Sequence, residues 1–542
     1  MAGARLIMES KKIAYFCMEF GLHESLTIFS GGLGVLAGDL LKAARDAECP
    51  MVGIGILWDE GYTKQCIDAA GKPYDVYPKT SREHLKPLNV QVSVTIEGRD
   101  VPLTAWEVEG FGNAPLYLLE PVEEQDRWIT ARLYAGGPRS RVAQELVLGV
   151  GGVRLLRALK EPVELYHFNE GHALFAGFEL VREKVSLGED LQSAMRQTRE
   201  QVVFTTHTPV KAGNEVHPVE MLLEMGVGLG VFERDDLVAL GGEPFEMTVA
   251  ALRLSRIANA VAQLHGRTAR AMWCEVMDAA PILSITNGVH MGTWQDGRIR
   301  EVMAQEGTDE QLWMVNQELK AELVEEVQRR TGTRLPLSGV LVGFARRAAT
   351  YKRATLILRD LKWLEPLLRE GRLQLVFSGK AHPEDIGGKE ILEEIVAMSR
   401  RFPEQIVFLE NYDMHLGRLL TRGCDVWLNT PARPLEASGT SGMKAAANGV
   451  LNLSVLDGWW DEGCEHDRNG WQFGEGYEGP DADQRDLEAL QATLSQKVLP
   501  TYYEDRPRWI SMMRRSIHTG QEQFSARRML GDYRQKLYSR PA

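Results

Sequence analysis

Short apolar segments recur along the chain, and stretches with helical periodicity separate them. Continuous apolar runs with helices between them are typical of buried parallel strands, because helices cover both faces of such a sheet. The first half of the chain predicts strands at residues 13–16, 51–57, 164–168, 202–206 and 281–285. The second half predicts strands at residues 340–344, 373–377, 406–409, 426–428 and 450–455.

Polar residues directly follow many of these strands. In open α/β sheets, ligands bind outside the carboxyl ends of the strands, so these residues occupy the expected position of a site. Both halves share the pattern, which predicts an α/β fold of two doubly wound, Rossmann-like domains facing one cleft. The polar segments are residues 169–172, 206–209, 286–288, 346–347, 379–380 and 411–412.

The predicted domain boundary lies where a charged helical stretch, residues 318–330, gives way to a Thr-Gly-Thr-Arg-Leu-Pro segment. We expect an N-terminal domain over residues 1–332 and a C-terminal domain over residues 333–505. Residues 506–542 have a helical pattern and are expected to pack back on the first domain. A chain of 542 residues is too long for one hydrophobic core, which supports a division.

Charge and cysteine content narrow the function classes. The formal net charge of −13 argues against nucleic acid or an anionic membrane surface as a main partner. The six cysteines are scattered without a CxxC pair or zinc-ligand spacing, which favours a reduced, cytoplasmic setting and no metal site. Residues 1–12 lack the apolar core of a secretory signal.

A glycine-rich turn, Ser-Gly-Gly-Leu-Gly, opens the segment 30–39 and leads into an apolar helical pattern. Backbone N–H groups at such a helix start bind anions through their geometry and the helix dipole. A tight strand-to-helix turn explains the glycines equally well. This motif alone leaves both interpretations open.

Four cations follow the predicted strand 340–344 within eight residues: Arg346, Arg347, Lys352 and Arg353. Like charges repel, so their clustering at a strand end is best explained if phosphate groups neutralise them. The alternative is a solvated helix start. Because a helix N-terminus disfavours cations, we favour an anion site.

The segment 436–449 combines small, flexible residues with an alanine-rich helical start. Ser438 or Thr440 is expected to cap this helix, and the glycines permit a ligand to approach the backbone closely. Lys444 would lie about one turn inside, beside Met443 and three alanines. Apolar surroundings lower the pKa of a lysine, as a Schiff-base lysine requires. An ordinary surface lysine is the alternative.

Residues 436–448 resemble the pyridoxal-phosphate attachment signature of the glycogen, starch and maltodextrin phosphorylases, the α-glucan phosphorylase family. The resemblance implies a two-domain fold of the GT-B glycosyltransferase type, in a short form without the long N-terminal regulatory extension. It extends to residues 30–38, 169–172, 206–209, 286–288, 346–353, 379–383 and 410–412.

This resemblance implies phosphorolysis of α-1,4-glucan or maltodextrin by inorganic phosphate, which releases glucose-1-phosphate with retention. Pyridoxal 5'-phosphate on Lys444 is the implied cofactor, and its phosphate is the implied proton relay to inorganic phosphate. Two phosphates in contact require surrounding cations and helix N-termini, because both are largely dianionic at neutral pH. The resemblance is also compatible with a homo-oligomer.

Residue roles follow from the same resemblance, matched position by position. The implied catalytic residues are Lys444, Arg347 and Lys352. The implied cofactor-binding residues are Lys444, Arg346, Thr440, Ser441 and Tyr412. The implied substrate-binding residues are Gly31, Gly32, His207, Asn287, Glu436, Ser438, Gly439, Glu170 and His172.

Two positions depart from the family pattern. Ala447 stands where the family usually has Leu or Met, and Asp413 stands where many long-form members have arginine. An acidic side chain cannot make that arginine's phosphate contact, so the cofactor phosphate must be held in another way.

Three other functions compete with this interpretation. A glycogen synthase-type enzyme that uses a sugar nucleotide would share the fold and the glycine loop but would not need Lys444. A non-catalytic glucan-binding protein would not need Arg347 or Lys352 intact, and no α-carboxylate clamp of an aminotransferase is evident. The Trp459-Trp460 pair could stack on sugar, although buried tryptophans are more often core.

Overall fold

A computed structural model describes residues 11–539. Most of the segment assessed for a secretory signal, and the ends of the two outer predicted domains, therefore lie outside the described residues. The strands are β1 (Lys12–Phe16), β2 (Met51–Ile56), β3 (Lys64–Ile67), β4 (Pro73–Val76), β5 (Leu85–Ile96), β6 (Arg99–Val108), β7 (Leu116–Pro121), β8 (Val163–Asn169), β9 (Val202–Thr205), β10 (Val216–His217), β11 (Phe245–Glu246), β12 (Ile257–Ala260), β13 (Ile282–Ser284), β14 (Val340–Ala345), β15 (Leu373–Ser378), β16 (Ile406–Leu409), β17 (Val426–Asn429), β18 (Leu451–Val455) and β19 (Gly470–Phe473).

Helices connect most of these strands, and across the described residues none is both long and apolar enough to cross a membrane. The α-helices are α1 (Gly32–Asp46), α2 (Pro138–Leu146), α3 (Gly152–Ala158), α4 (Phe175–Ser186), α5 (Leu191–Arg199), α6 (Val219–Met225), α7 (Arg234–Gly241), α8 (Met247–Arg253), α9 (Gln263–Met272), α10 (Met291–Trp294), α11 (Gly297–Ala304), α12 (Asp309–Thr331), α13 (Leu361–Arg369), α14 (Ile386–Arg401), α15 (Met414–Gly423), α16 (Thr440–Ala446), α17 (Trp460–Gly463), α18 (Ala482–Thr493), α19 (Leu499–Glu504), α20 (Arg506–Gln523) and α21 (Ala526–Asp532).

The first large sheet has the strand order β13-β12-β9-β8-β1-β2-β7-β6-β5. Its strands are parallel from β13 to β7, and β6 and β5 extend it as antiparallel neighbours. The chain enters at the centre with β1 and builds outwards in both directions. Side chains after β1, β8 and β9 therefore meet at one edge of the sheet.

The second large sheet has the order β16-β15-β14-β17-β18-β19, and all its neighbours are parallel. Its first strand, β14, lies between β15 and β17, so the direction of winding reverses there, and a crevice forms at such a reversal. Every strand predicted from an apolar run is formed. The predicted α/β fold with parallel sheets is therefore confirmed.

A hydrophobic cluster joins elements from the two halves of the chain. Val35 of α1, Trp294 of α10 and Met443 of α16 belong to it. Trp459 and Trp460 lie in the same cluster, with only 2% and 1% of their surface exposed. Neither ring can offer a face to sugar, so this pair is core.

The helical tail contacts both halves. Helix α20 contributes Trp509 and Ile517 to the core of the second sheet, whereas α21 contributes Met529 to the core of the first. Ile299 and Leu312 also lie in the second core, ahead of residue 332. The domain boundaries stay predictions.

Candidate active site

A cavity of about 250 Å³ opens where segments from the two large sheets approach each other. The chain reaches it after β9 and β13 of the first sheet and after β14, β15 and β16 of the second. Fourteen of the residues predicted to form the site line it: Gly31, Gly32, His207, Asn287, Arg346, Arg347, Lys352, Tyr412, Glu436, Ser438, Gly439, Thr440, Ser441 and Lys444.

Glu170 and His172 line a second cavity instead. This cavity adjoins the first, because Gly31, His207 and Arg347 line both. Glu170 accepts a hydrogen bond of 2.7 Å from the backbone N–H of His207. Its carboxylate therefore fixes the loop that carries His207.

Lys444 is the fifth residue of α16, with 5% of its surface exposed. Burial disfavours the ammonium form and lowers its pKa to about 8, and the negative charge of Asp39 partly opposes this effect. Lys444 therefore has the buried, weakly basic amine expected of a lysine that attacks carbonyl groups.

The start of α16 differs from the prediction. Its N-cap is Gly439 in the left-handed region at φ 82°, and no side chain caps the helix. The expected cap by Ser438 or Thr440 is therefore wrong: glycine adopts this conformation without steric strain, and Thr440 is already the first helical residue. The buried hydroxyl of Ser438 has no hydrogen-bond partner within the described residues.

One carboxylate, that of Glu436, holds two of the cations predicted to bind anions. Arg346 Nη1 lies 3.0 Å from it and Lys352 Nζ lies 2.7 Å from it. Burial alone would raise the pKa of Glu436, but Lys352 and Arg346 lower it overall. The other terminal nitrogen of the Arg346 guanidinium, Nη2, donates to Asn429 and, at 3.2 Å, to the hydroxyl of Ser441.

Arg347 behaves differently from its neighbour. It is exposed, and it makes no hydrogen bond or ion pair with another residue of the described part of the chain. Its guanidinium group faces both cavities as a free cation. A guanidinium with five donors in a fixed fork is well suited to a phosphate group.

The glycine loop is partly engaged by an acidic residue that the sequence did not single out. The N–H of Gly31 donates to Glu19 at 3.2 Å, and that of Ser30 donates to the same carboxylate at 2.6 Å. Helix α1 begins at Gly32, and the first N–H groups of a helix have no partner within it. Gly32 and Leu33, in the first turn, also line the cavity, so their N–H groups are available to an anion there.

Asp413, the departure noted in the sequence, has a structural explanation. It is the N-cap of α15, and its carboxylate accepts a hydrogen bond of 2.8 Å from the N–H of Leu416. Aspartate is favoured at this position because it satisfies a free donor and complements the helix dipole. It also lines the first cavity, where it adds negative charge.

Asp39, Trp294 and Asp457 were missed at the sequence level. Trp294 lines the cavity, and Asp39 accepts a hydrogen bond from its ring. Asp457 accepts from the N–H of Glu436 at 3.0 Å, and burial raises its pKa to about 7. These residues lie far along the chain from their partners, so no local pattern could have found them.

Comparison with known proteins agrees with this chemistry. The sequence profile of the family described as carbohydrate phosphorylase matches residues 247–468. The maltodextrin phosphorylase of Thermococcus litoralis is 40% identical over 97% of this chain and 70% of its own length. The glycogen phosphorylase of Mycobacterium tuberculosis is also 40% identical, over the same shares of the two chains.

The glycogen phosphorylase of Aquifex aeolicus is 35% identical over 98% of this chain and 86% of its own. These relatives span both large sheets and the cavity between them. The chain therefore belongs to the carbohydrate phosphorylase family, as its resemblance to the α-glucan phosphorylases predicts, and it is an enzyme.

Proposed function

We propose that this enzyme cleaves α-1,4-glucan with inorganic phosphate and releases glucose-1-phosphate with retention, using pyridoxal 5'-phosphate attached to Lys444. The observation that carries the proposal is the amine of Lys444, buried at the wall of a cavity that Arg346, Arg347 and Lys352 also line. A glycosyltransferase that uses a sugar nucleotide would have no use for such a lysine.

The residues present fit this cofactor. Lys444 offers an amine with a lowered pKa, and the first N–H groups of α16 are unpaired within the helix. The glucosyl unit also has partners here: the hydroxyl of Ser438 and the side-chain oxygen of Asn287 lack hydrogen-bond partners among the described residues and suit the hydroxyl groups of a sugar. When bound, the cofactor would supply a phosphate that relays a proton to inorganic phosphate.

Each role is proposed from the position of the residue. Lys444, Arg346, Thr440, Ser441 and Tyr412 hold the cofactor. Arg347 and Lys352 hold inorganic phosphate, together with the N–H groups at the start of α1. The loop with Gly31 and Gly32 offers backbone N–H groups to the same phosphate. The glucosyl unit is bound by His207, Asn287, Glu436, Ser438 and Gly439, and Glu170 and His172 line the same cleft.

The reaction breaks the bond between the anomeric carbon and the leaving 4-oxygen, and it forms a bond from that carbon to a phosphate oxygen. The leaving oxygen takes the proton of the inorganic phosphate, so the products are glucose-1-phosphate and a glucan shortened by one unit. Positive charge develops on the sugar as in glycoside hydrolysis, so the anionic phosphate stabilises the transition state. Arg347 and Lys352 keep that anion in place.

The fold type, the domain bounds and the cellular setting belong to the same proposal. The two sheets would form the facing domains of a GT-B glycosyltransferase, with domains over residues 1–332 and 333–505 and a tail over 506–542. We expect a cytoplasmic enzyme without nucleic acid, membrane or metal partners. Whether it forms a homo-oligomer stays open.

The direct test is to incubate the purified enzyme with maltodextrin and inorganic phosphate and to assay glucose-1-phosphate. Pyridoxal absorbance and peptide mapping after borohydride reduction would locate the cofactor. The Lys444→Ala variant is expected to lose both cofactor and activity. A protein that lacks pyridoxal, is inert with phosphate and transfers sugar from a nucleotide would overturn the proposal.

A further inference from the structure

Lys380 is a half-buried cation in the cavity, and the proposed roles leave it unused. It directly follows β15 and Gly379, and it lines the same cavity as Arg346, Arg347 and Lys352. Arg346 and Lys352 are paired with Glu436. Lys380 has no carboxylate within ion-pair distance among the described residues, so its charge is available to an anion.

The surroundings of Lys380 make this charge costly. Burial lowers its pKa to about 8, and Asp413 opposes this effect only in part. The amine donates one hydrogen bond, of 3.1 Å, to the backbone oxygen of Thr63 and lies 5.6 Å from the centroid of the Tyr62 ring. An ammonium has three donors, so two remain for a ligand.

Asp413 does not neutralise this cation. Its carboxylate caps α15 through the N–H of Leu416, and no ion pair joins it to Lys380. Asp413 nevertheless lines the cavity and repels any phosphate that enters. Phosphate binding there requires a cation that offsets this negative charge. Lys380 lines the same cavity and interacts electrostatically with Asp413.

We propose that Lys380 binds a phosphate group in this cavity, either the phosphate of the bound cofactor or inorganic phosphate. The inference rests on the proposed function, because that function brings both phosphates into the cavity. The ammonium of Lys380 donates hydrogen bonds to phosphate oxygens and offsets the charge of Asp413. Lys380 thus binds phosphate and takes no part in proton transfer.

A purely structural role at the contact between the two halves does not account for the charge. The same contact is already fixed by Gln65, whose side chain accepts from the N–H of Ala381 at 2.8 Å. It is also fixed by Lys389, which pairs with Asp75 at 2.8 Å. A neutral residue would fill the position of Lys380 without the cost of desolvating an ammonium group.

The test compares Lys380→Met and Lys380→Arg with the unaltered enzyme. The full chain is stripped of cofactor and titrated with pyridoxal 5'-phosphate and, separately, with pyridoxal, which lacks the phosphate. The KM for inorganic phosphate is then measured in the reconstituted enzyme. Lys389→Met is the matched control, because it removes a lysine from the same contact without removing charge from the cavity.

We expect Lys380→Met to weaken binding of one phosphate species by about tenfold to a hundredfold, the usual effect of a lost charged hydrogen bond. Weaker pyridoxal 5'-phosphate binding with unchanged pyridoxal binding identifies the cofactor phosphate. A raised KM for phosphate alone identifies inorganic phosphate. Lys380→Arg should recover most of the loss, and Lys389→Met should bind all three ligands normally.

Equal loss of pyridoxal and pyridoxal 5'-phosphate affinity, or no change in any of the three ligands, would refute a phosphate role for Lys380. Thermal melts of each variant show whether an equal loss comes from unfolding. Failure of the unaltered enzyme to bind pyridoxal 5'-phosphate at all is a different result, and it would refute the proposed function itself.

Discussion

The amine of Lys444 lies 3.6 Å from the centroid of the Trp294 ring, and the ring N–H of Trp294 donates to Asp39 at 2.8 Å. The three residues come from α16, α10 and α1, so the two halves of the chain meet at this point. The ring face and the carboxylate both favour the ammonium form. Burial outweighs them, which leaves the pKa of Lys444 at about 8.

The first prediction concerns the reactivity of Lys444 in the cofactor-free enzyme. Only the neutral amine attacks a carbonyl, so attachment of pyridoxal trapped by borohydride should rise with pH and reach half its maximum near pH 8, the pKa of Lys444. Mass spectrometry of the labelled peptide measures the extent. An exposed lysine should instead respond near the ordinary lysine pKa of about 10.4.

Asp39→Asn is expected to make Lys444 still less basic. The amide keeps an oxygen that accepts from Trp294 but removes the negative charge that favours the ammonium. The midpoint of the labelling curve should therefore move below pH 8. Asp39→Ala also removes the hydrogen bond and should lower thermal stability more; an unchanged midpoint in Asp39→Asn would show that Asp39 does not act on Lys444 through charge.

Lys444→Met should abolish cofactor attachment and yet stabilise the cofactor-free fold. Lowering the pKa of a lysine from 10.5 to about 8 corresponds to about 3 kcal/mol of unfavourable burial at pH 7. The unfolded chain holds this proton up to higher pH than the folded one, so the unaltered enzyme gains stability between pH 8 and 10.5. The advantage of the variant should shrink across that window in denaturant titrations.

Local patterns predicted the strands and the cavity loops, because apolar runs and glycine or cation clusters lie within short segments. The apolar-run pattern did not predict the antiparallel pair of β5 and β6. Along much of β5, exposed polar residues alternate with apolar residues that are only half-buried, so no continuous apolar run is formed. The contact of Asp39 with Trp294 spans 255 positions and depends on packing. The expected cap at Ser438 failed because the chain turns at Gly439 through a left-handed conformation.

Glu436→Gln is expected to separate sugar binding from phosphate binding. The carboxylate contacts Arg346 and Lys352, and its loss leaves both cations free to attract phosphate. We expect the KM for phosphate to fall and the KM for maltodextrin to rise. Glu478→Gln, which alters an exposed pair with Arg433, is the control. A phosphate KM that rises in Glu436→Gln would contradict this account.

Near the second cavity, the carboxylates of Glu145 and Glu215 lie close together and share one neighbouring cation, Arg141. The ligand atoms of Glu145, Glu215 and His217 all lie within 4.8 Å of one another. Arg141 Nε lies 3.0 Å from Glu215 and 3.5 Å from Glu145. Burial, and then the charge of Glu215, raise the pKa of Glu145 well above its usual value. Burial and the neighbouring carboxylate therefore favour the protonated form of Glu145 in the folded enzyme.

Glu145→Gln should stabilise the enzyme increasingly as the pH rises. Unfolded Glu145 loses its proton near pH 4.5, while the folded form keeps it to higher pH. Where only the folded form is protonated, the unaltered enzyme loses up to about 1.4 kcal/mol of stability per pH unit. Glutamine carries no such proton, and its amide donates to Glu215 as the protonated acid does. Glu145→Ala, which leaves a gap beside Arg141, should destabilise the enzyme instead. Denaturant titrations at pH 5, 6 and 7 measure both. If the free energies of unfolding of the Gln and Glu proteins differ by a constant amount over that range, Glu145 is ionised in the folded enzyme. Arg141 must then offset the negative charges of both Glu145 and Glu215.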